Sequence, residues 1–389
     1  MLCICNATVY TPRRMFAPQH ILVENGRIVD IRPAQSELPF PVAETFDAEE
    51  LILSPGWIDI QINGAFGYDF TEDPQRIWDV AAQLPRLGVT AFLPTIVTSP
   101  PETVEQAIHV LQQGPPPGWK GAIPLGLHIE SMFLNPEKRG AHNPAYLRPP
   151  SPELVTGWTR ERHVRLCTLA PELPGALSVI RTLRANGVTV SMGHTMATLA
   201  EAEAGFVAGI TYGTHLYNAM RSPHHREPGA VGALLVHQEI TVGLIVDGIH
   251  VHPAMVTVAW QCKSPHTITL VTDAMAALGM PPGRYHLGDL DVIVNETGAR
   301  LPDGRLAGSV LRLNQAIRNL MTYTGCSLED ALTTVTHTPA RVIGEARGDI
   351  QVGARADLTF ITPEVDVVAT MVGGEFLHMN DMHTWRIKR

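Results

Sequence analysis

The stretch AIPLGLHIESMFLNPEKRGAH, residues 122–142, begins as a buried-type strand and ends as a polar loop. Its apolar run stops at a carboxylate, Glu130, and a loop that contains Pro136 and Gly140 then leads to His142. In barrels of alternating strands and helices, the C-terminal ends of the strands and the loops after them form the active face. The stretch therefore predicts one unit of an α/β fold, with functional side chains at the end of its strand.

Similar apolar runs recur on both sides of this stretch. The eight runs are GWIDIQIN (56–63), GVTAFLPTIV (88–97), AIPLGLHIE (122–130), VRLCTLAPE (164–172), GVTVSMGH (187–194), GITYGTHL (209–216), ITVGLIVDG (240–248) and TITLVTDA (267–274). Segments between them, such as 178–187 and 197–209, have helical spacing and end in Gly. Eight such units over about 250 residues predict a (β/α)₈ TIM-type barrel. A doubly wound open sheet is the main alternative, but no Gly-rich dinucleotide fingerprint follows the first run.

The two ends of the chain are rich in short β-type runs. Residues 21–31, ILVENGRIVDI, contain Asn25-Gly26 between two such runs, a pattern that predicts a two-residue hairpin. Residues 348–378 are again β-rich and interrupted by turn residues. Because chain ends often lie close together, the sequence predicts a small β-sandwich domain from residues 1–54 and 346–389 beside a catalytic barrel domain of residues 55–345.

The overall composition limits the functional classes. The 389 residues are 45% hydrophobic with a formal net charge of −9, which is typical of a globular protein and disfavours nucleic acid as a partner. No apolar run is long enough to span a bilayer, and the first residues read as a strand rather than a signal peptide. The five cysteines show no C-x-x-C spacing, so neither a disulfide framework nor a cysteine zinc site is predicted. These features favour a cytoplasmic protein without membrane partners.

Four residues with metal or proton-transfer chemistry fall at the ends of predicted strands. They are Glu130, His194, His215 and Asp273. Barrel closure would bring these ends to one rim, where two imidazoles and one carboxylate form a catalytic zinc sphere and a second carboxylate moves protons. Iron or another divalent ion would suit the same ligands. Each residue alone is more often a hydrogen-bonded surface group, so spacing by itself leaves both interpretations open.

A longer set of motifs points to a known family. In chain order they are PGWIDIQINGAFGYDF (55–70), LGLHIE (125–130), FLNPEKRGAH (133–142), MGHT (192–195), THLYNAM (214–220), REPG (226–229), DGIHV (247–251), LVTDA (270–274) and LAGS (306–309). Together they resemble the N-acetylglucosamine-6-phosphate deacetylase family of the amidohydrolase superfamily. The resemblance implies metal-dependent hydrolysis of the acetamide of N-acetyl-D-glucosamine 6-phosphate to D-glucosamine 6-phosphate and acetate, a step of amino-sugar catabolism and recycling.

The resemblance also implies roles for individual residues. Glu130, His194 and His215 match the metal ligands, and Asp273 matches the catalytic acid and base. The positions that match sugar and phosphate contacts are Ala141, His142, Asn218, Ala219, Arg226, Asp247, Gly248, Ile249, His250, Leu306, Ala307 and Gly308. A homodimer is implied, because the counterpart of Arg226 reaches the phosphate across a subunit interface.

Two positions depart from common patterns of the superfamily and the family. Many amidohydrolases have H-x-H on the first strand, where this chain has Gln61 and Asn63. Neutral amides are poor ligands beside imidazole, so one divalent ion per subunit is expected, with zinc first and iron or another metal as alternatives. After Glu130 the chain has Ser131-Met132 in place of the family's Gly-Pro, a change that could cost backbone strain at Ser131.

Other functions remain open from sequence alone. A dihydroorotase-like or acyl-amino-acid deacylase enzyme would more often keep H-x-H and a bridging lysine. A deacetylase of N-acetylgalactosamine 6-phosphate is not excluded. A catalytically retired barrel that serves as an oligomeric scaffold should have lost ligands, yet Glu130, His194, His215 and Asp273 are all present.

Overall fold

A computed structural model describes residues 1–12, 14–37 and 42–388. The strands are β1 Leu2–Thr11, β2 Arg14–Glu24, β3 Arg27–Pro33, β4 Glu44–Asp47, β5 Ile52–Pro55, β6 Trp57–Ile62, β7 Gly64–Ala65, β8 Tyr68–Asp69, β9 Val89–Ile96, β10 Ile123–Pro124, β11 Leu127–Glu130, β12 Val164–Leu169, β13 Thr189–Met192, β14 Ile210–Gly213, β15 Thr241–Leu244, β16 Ile268–Leu270, β17 Gly283–Leu287, β18 Leu290–Asn295, β19 Gly298–Arg300, β20 Leu358–Ile361, β21 Val367–Val372, β22 Glu375–Met379 and β23 Ile387–Lys388. The α-helices are α1 Ile77–Ala81, α2 Pro101–Gln113, α3 Ala176–Ala185, α4 Leu199–Ala208, α5 Gly229–Val236, α6 Pro253–Cys262, α7 Leu313–Thr324, α8 Leu328–Thr333 and α9 His337–Val342.

The centre of the molecule is a barrel of parallel strands. The strands β6, β9, β11, β12, β13, β14, β15 and β16 follow one another around it. The ring closes where Ile62 forms a parallel bridge with Ala274 and the Asp273 N–H donates to the Gln61 carbonyl, 2.9 Å away. Buried runs such as β6 and β9 are covered on both faces, as parallel sheets require. The predicted (β/α)₈ barrel is therefore confirmed.

The helices between these strands begin and end at recognisable signals. Helix α4 starts at a capping box, in which Thr198 accepts from the Glu201 N–H and the Glu201 carboxylate accepts from the Thr198 N–H. It ends at Gly209, whose φ of 128° continues no helix. The predicted helical segments at 178–187 and 197–209 correspond to α3 and α4.

Strands from both chain ends build a second sheet. Its main order is β22-β21-β20-β5-β1-β2-β3, and β4 and β23 branch from β1. Phe46 on β4 packs 4.8 Å from Phe360 on β20 and 4.9 Å from Phe376 on β22, measured between ring centroids. Because β4 is not a hydrogen-bonded neighbour of either strand, the two branches face each other across a separate hydrophobic core. This arrangement confirms the small sandwich built from the two termini.

The predicted hairpin forms between β2 and β3. Glu24 pairs with Arg27, and the turn between them has φ values of 49° at Asn25 and 75° at Gly26. Positive φ at both turn residues is the conformation that Asn-Gly favours in two-residue hairpins.

The domain limits of 1–54 with 346–389 and 55–345 remain our proposed division. Strand pairing supports them, since β5 and β20 are hydrogen-bonded to each other and belong to the terminal sheet. Residues 13, 38–41 and 389 of the smaller domain lie outside the described residues. The two parts contact each other directly, for example through the hydroxyls of Tyr10 and Thr333, 2.6 Å apart.

A third, three-stranded sheet (β17–β19), which was not predicted, follows the last barrel strand. Leu287, Val292 and Ala299 from this sheet form a small core with Ala141 and Met275 from loops at the barrel mouth. The sheet therefore covers part of that mouth. In the described part of the chain, no helix is long and apolar enough to cross a membrane.

Candidate metal centre and active site

The four residues predicted at strand ends meet at one mouth of the barrel. Glu130 is the last residue of β11, as expected. His194 and His215 lie two residues beyond the ends of β13 and β14, and Asp273 lies three residues beyond β16. Their predicted strands were too long, because the chain leaves the extended conformation before it reaches these side chains.

The backbone at these positions is unusual. His194, His215 and Asp273 have φ values of 50°, 30° and 48°, in the left-handed region that residues with a Cβ rarely adopt. Such strain persists only where the surrounding structure enforces it, and it concentrates at functional sites. Here the left-handed turn directs each side chain into the barrel mouth.

Three side chains converge with their ligand atoms close together. Glu130 Oε1 lies 3.2 Å from His215 Nε2 and 3.5 Å from His194 Nε2. The two Nε2 atoms are 3.0 Å apart. All three side chains are buried, and one ligand atom from each fits within a 4.8 Å cluster. One carboxylate and two imidazoles at this spacing suit a divalent cation.

The protonation of His194 is set by its second nitrogen. His194 Nδ1 lies 2.8 Å from the carbonyl oxygen of Lys138. Because a carbonyl only accepts, Nδ1 carries the proton and Nε2 of the neutral ring presents a lone pair to the site. The three ligand side chains therefore fit a metal ion. The loop after Glu130 contributes to this fit, because its Lys138 carbonyl orients the His194 ring.

Electrostatics keep Glu130 charged. Burial on its own would raise the pKa of Glu130, but the imidazoles of His194 and His215 beside the carboxylate outweigh it and hold this pKa well below its usual value. Burial likewise opposes the charged form of His215, yet the Glu130 carboxylate beside it raises the pKa of His215 above the ordinary value. A metal ion bound between Glu130 and His215 would take the place of the His215 proton as the positive charge that stabilises the Glu130 carboxylate.

Asp273 stands beside this cluster as a second carboxylate. Burial, followed by the nearby negative charge of Glu130, raises the pKa of Asp273 above its usual range. Asn63 Nδ2 donates to Asp273 Oδ1 over 2.8 Å, and this hydrogen bond acts in the opposite direction. A carboxylate with a raised pKa next to a metal site is suited to take up a proton and to release it again.

Gln61 occupies the position where H-x-H would help bind a second metal. Its Nε2 amide donates to Glu130 Oε1 over 3.2 Å and to Asp273 Oδ1 over 3.1 Å. An amide NH₂ has no lone pair for a cation and lies between the two carboxylates that a second ion would need. The geometry therefore favours a single metal at this mouth.

His142 from the loop beyond Glu130 reaches the same site. Its Nδ1 accepts from the Thr98 N–H over 3.2 Å, so Nε2 carries the proton of the neutral ring. Nε2 lies 3.7 Å from Glu130 Oε2. Burial, with the nearby His194, lowers the pKa of His142 to about 3, which keeps the ring neutral at physiological pH. His142 is thus a buried, neutral N–H donor.

A cavity of about 340 Å³ opens over these side chains. Of the residues predicted to contact substrate, those that line it are Ala141, His142, Asn218, Ala219, His250, Leu306 and Gly308. Apolar walls with a few converging polar groups are usual for a small-molecule site. The structure therefore brings most of the predicted contact residues together with the predicted metal ligands.

The remaining predicted contact residues lie elsewhere in this single chain. Arg226 is exposed, with its Nη1 2.8 Å from His225 Nε2. Asp247 accepts from His250 Nδ1 over 2.6 Å, so it positions His250. Gly248 and Ile249 are exposed in the same turn, and Ala307 is fully buried beside Ala299.

Two cationic side chains at the cavity were not predicted as contacts. Lys138 and Arg305 both line it, and Arg305 also contacts the Gly140 carbonyl. From the sequence, a solvated charge in the loop explained Lys138 as well as a substrate contact did. Arg305 belongs to a turn that reaches the cavity only through its tertiary packing against the loop at Gly140. Only the proximity of Arg305 to LAGS could have indicated it.

The departure at Ser131-Met132 causes no backbone strain. Within the described chain Ser131 is not a positive-φ residue, and its hydroxyl donates to the Thr168 carbonyl over 2.7 Å. Met132 is buried in the barrel core. A serine is accommodated here without the conformational freedom of glycine.

Comparison with known proteins agrees with this geometry. The Amidohydrolase family model matches residues 52–377. An N-acetylglucosamine-6-phosphate deacetylase of Caenorhabditis elegans is 40% identical over 92% of this chain and 90% of its own length. An N-acetylgalactosamine-6-phosphate deacetylase of Escherichia coli O157:H7 is 37% identical over 92% of this chain and 97% of its own.

Solved structures give the same result. The N-acetylglucosamine-6-phosphate deacetylase of Pasteurella multocida superimposes with a TM-score of 0.90 and 30% identity, covering 97% of this chain and 100% of the other. A mutant N-acetyl-D-glucosamine-6-phosphate deacetylase of Mycobacterium smegmatis, solved in complex with N-acetyl-D-glucosamine-6-phosphate, superimposes with a TM-score of 0.88 and 32% identity. The match covers 97% of this chain and 99% of the other. The chain therefore belongs to the amidohydrolase family and, within it, to the group of N-acetylglucosamine-6-phosphate deacetylases.

Proposed function

We propose that this chain hydrolyses the acetamide of N-acetyl-D-glucosamine 6-phosphate to D-glucosamine 6-phosphate and acetate in amino-sugar catabolism and recycling. The observation that carries the proposal is the convergence of Glu130, His194 and His215 beside a separate buried carboxylate, Asp273. The names of relatives that are 37–40% identical narrow the substrate to an N-acetylated amino-sugar phosphate.

Glu130, His194 and His215 would hold one divalent ion, for which we propose zinc because nitrogen and carboxylate ligands in an open sphere suit it. When bound, such an ion supplies Lewis acidity and an activated water. The neutral amides of Gln61 and Asn63 leave no second set of ligands in this part of the described structure.

Asp273 is the acid and base of the proposed reaction. Its raised pKa lets it accept the proton of the attacking water and later deliver that proton to the departing amine. His142 is placed to donate its Nε2–H to the acetyl oxygen as negative charge develops there. Since the pKa of His142 is about 3, this donor does not depend on pH in the working range.

We propose that the 6-phosphate is bound by His250 and by Arg226 of a second copy of the chain. His250 lines the cavity and is oriented by Asp247, whereas Arg226 is exposed and free to face a partner. A guanidinium can bind phosphate through two parallel hydrogen bonds. The proposal therefore requires a homodimer with Arg226 near the interface.

Replacing Arg226 tests the phosphate site. Arg226→Ala should raise KM for the 6-phosphorylated sugar at least about tenfold with a smaller effect on kcat, because a charge-assisted contact is lost. Arg181→Ala, an exposed arginine on α3, serves as the control and should leave KM unchanged. If both variants behave alike, or if the protein is monomeric at assay concentration, Arg226 does not bind phosphate in this way.

A second candidate substrate is N-acetylgalactosamine 6-phosphate, favoured by the 37% identical relative that carries this name. Acetate release should be measured from the gluco and galacto epimers and from unphosphorylated N-acetylglucosamine, with the metal content of the protein recorded. We expect the highest kcat/KM for the gluco phosphate. A higher value for the galacto epimer would replace our proposal, and metal-loaded protein that releases no acetate would indicate a retired scaffold.

We also propose that the protein works in the cytoplasm. None of the five cysteines, all of which lie in the described residues, forms a disulfide in the structure, which suits a reducing compartment. Fractionation of the source cells with a redox-active thiol probe would test the location.

A further inference from the structure

A second group of metal-binding side chains lies in the terminal sheet, outside the barrel. Cys3 and Cys5 belong to β1, and His20 belongs to the neighbouring strand β2. Ile4 pairs with Ile21 across these strands, and both isoleucines point into the hydrophobic core. Because side chains alternate along a strand, Cys3, Cys5 and His20 lie together on the opposite face of the sheet.

A local irregularity brings these three side chains together. The register of β1 and β2 shifts between Ile4 and Ala7, and Asn6 in this bulge has a φ of 60°. The Asn6 N–H donates to His20 Nδ1, 3.4 Å away. Bulges commonly re-aim a side chain, and this one directs Cys5 and His20 towards Cys3.

The distances within the group match those between ligands of one cation. The sulfur atoms of Cys3 and Cys5 are 3.3 Å apart, and a ligand atom from each of the three residues fits within 4.8 Å. Two thiolates on a tetrahedral zinc ion would lie about 3.8 Å apart, given Zn–S bonds of about 2.3 Å. The sulfurs thus need to separate only slightly. They are too far apart for a disulfide bond, which is about 2.05 Å long.

The three side chains of the group differ in burial. Cys3 is fully buried, His20 is 9% exposed and Cys5 is half-buried. The group is thus neither wholly buried like the residues of the hydrophobic core nor wholly exposed to solvent.

We propose that Cys3, Cys5 and His20 form a second metal site, which binds one thiophilic divalent cation such as Zn²⁺. On binding, each thiol releases its proton to solvent, and the neutral imidazole of His20 gives up the long hydrogen bond from the Asn6 N–H to present a nitrogen lone pair to the cation. The site differs chemically from the barrel mouth, whose ligands Glu130, His194 and His215 contain no sulfur. Its bound ion would fasten β1 to β2 and so stabilise the terminal sheet.

The difference in ligand chemistry gives a direct test. Reduced full-length protein should be titrated with Cd²⁺ in the presence of a weak competing chelator, while ultraviolet absorbance and metal content are followed. We expect two equivalents of Cd²⁺ to bind, one of which produces a thiolate-to-metal charge-transfer band. Only sulfur ligands give this band, so the barrel ion cannot produce it.

Variants assign the band to its ligands. Cys3→Ser and Cys5→Ser should each abolish the band and remove one equivalent of Cd²⁺, and His20→Gln should weaken binding at least about tenfold. Matched controls are Cys262→Ser and Cys326→Ser, two half-buried cysteines elsewhere, which should keep the band. Glu130→Gln should lose the barrel ion and keep the band.

Several results would overturn the proposal. They are the absence of the band at two equivalents, its persistence in Cys3→Ser, or its loss in Cys262→Ser. If a serine variant fails to fold, two other measurements still test whether the three residues bind a metal ion: Cd²⁺ binding by His20→Gln, and protection of the thiols from alkylation in the unmodified protein. In the latter, one equivalent of Cd²⁺ beyond the barrel ion must slow alkylation of Cys3 and Cys5 and leave Cys326 unaffected.

Discussion

Asp273 is the residue on which turnover should depend most directly. We expect Asp273→Asn to keep the metal but to lower kcat at least about 100-fold, because an amide can neither accept nor return the proton. Metal analysis and initial rates on the same preparation measure both properties. Asp79→Asn, at an exposed carboxylate on α1, should change neither. Turnover near that of the unmodified protein in a metal-loaded Asp273→Asn variant would remove this role.

Asn63 should tune the pH dependence of the reaction. Its amide donates to the charged form of Asp273, and a hydrogen bond to the charged form lowers the pKa of a carboxyl. Asn63→Ala should therefore raise the pKa of Asp273. Since the base must be ionised, the acidic limb of the kcat/KM profile should move to higher pH. The profile of Gln113→Ala, altered on the exposed side of α2, should not shift, and an unmoved limb in Asn63→Ala would refute this role.

The sequence identified the site residues, but it did not predict the hydrogen bonds and packing contacts between them and other parts of the chain. Glu130, His194, His215 and Asp273 each follow an apolar run, which identifies them as side chains at one barrel rim. Arg305 enters the cavity only because its turn packs on the loop at Gly140, a contact between residues far apart in the chain. The proton on His194 Nδ1 depends on the Lys138 carbonyl, and no sequence pattern reports a carbonyl direction.

At the scale of elements, the loop after β11 supports the metal ligand His194. Gly140 in this loop has a φ of 54°, and a Cβ added there would lie 3.2 Å from His194 Cε1. Gly140→Ala should therefore displace His194 and reduce metal affinity about tenfold, as loss of support around a ligand typically does. Competition with a chelator measures the change.

A second glycine separates crowding from backbone strain. Gly118 has a φ of 74° and nothing within 4 Å of an added Cβ. Gly118→Ala should cost about 1 kcal/mol through the left-handed backbone and leave metal affinity unchanged. If both glycine variants lose affinity equally, the contact with His194 is not the cause.

The sequence predicted the barrel strands, most of whose residues are buried, and it did not predict a sheet in which exposed residues interrupt the buried ones. Every one of the eight apolar runs contains a barrel strand, because strands covered on both faces are apolar throughout. The β17–β19 sheet was not predicted, because β17 is mostly exposed and β18 alternates exposed and buried residues, so neither forms a continuous apolar run. The runs overshot β13, β14 and β16 because the chain turns into the left-handed conformation at His194, His215 and Asp273 while the sequence still looks strand-like.

At the scale of the whole molecule, Asp357 joins the terminal sheet to the barrel. Its carboxylate is 9% exposed and accepts from Arg355 Nε over 2.9 Å, from the Gly373 N–H over 2.7 Å, and from Arg347. Its carbonyl accepts from the Gly56 N–H just before β6, at the end of the barrel opposite the metal ligands. The backbone carbonyl of Asp357 thus contacts the barrel while its carboxylate holds Arg347, Arg355 and the Gly373 N–H, all at a distance from the chemistry.

Removing the charge of the Asp357 carboxylate should destabilise the protein without changing the reaction. Asp357→Asn should lower the free energy of unfolding by about 3 kcal/mol, because it leaves two arginines beside a buried position without their partner. Denaturant unfolding and kcat below the transition test the two expectations. Asp366→Asn, whose carboxylate pairs with Arg318 while 68% exposed, should change stability by less than about 0.5 kcal/mol. Equal losses in both variants would contradict the role of Asp357.

The position of β5 between β1 and β20 has a consequence for synthesis of the protein. A ribosome makes β1–β5 first, then the whole barrel, and only near the end of translation the strands that complete the terminal sheet. The early strands must therefore wait with an open edge while the barrel sequence emerges, a state in which edges aggregate readily. A premature stop codon before β20 would release a chain whose barrel strands are complete and whose first strands have lost their partner.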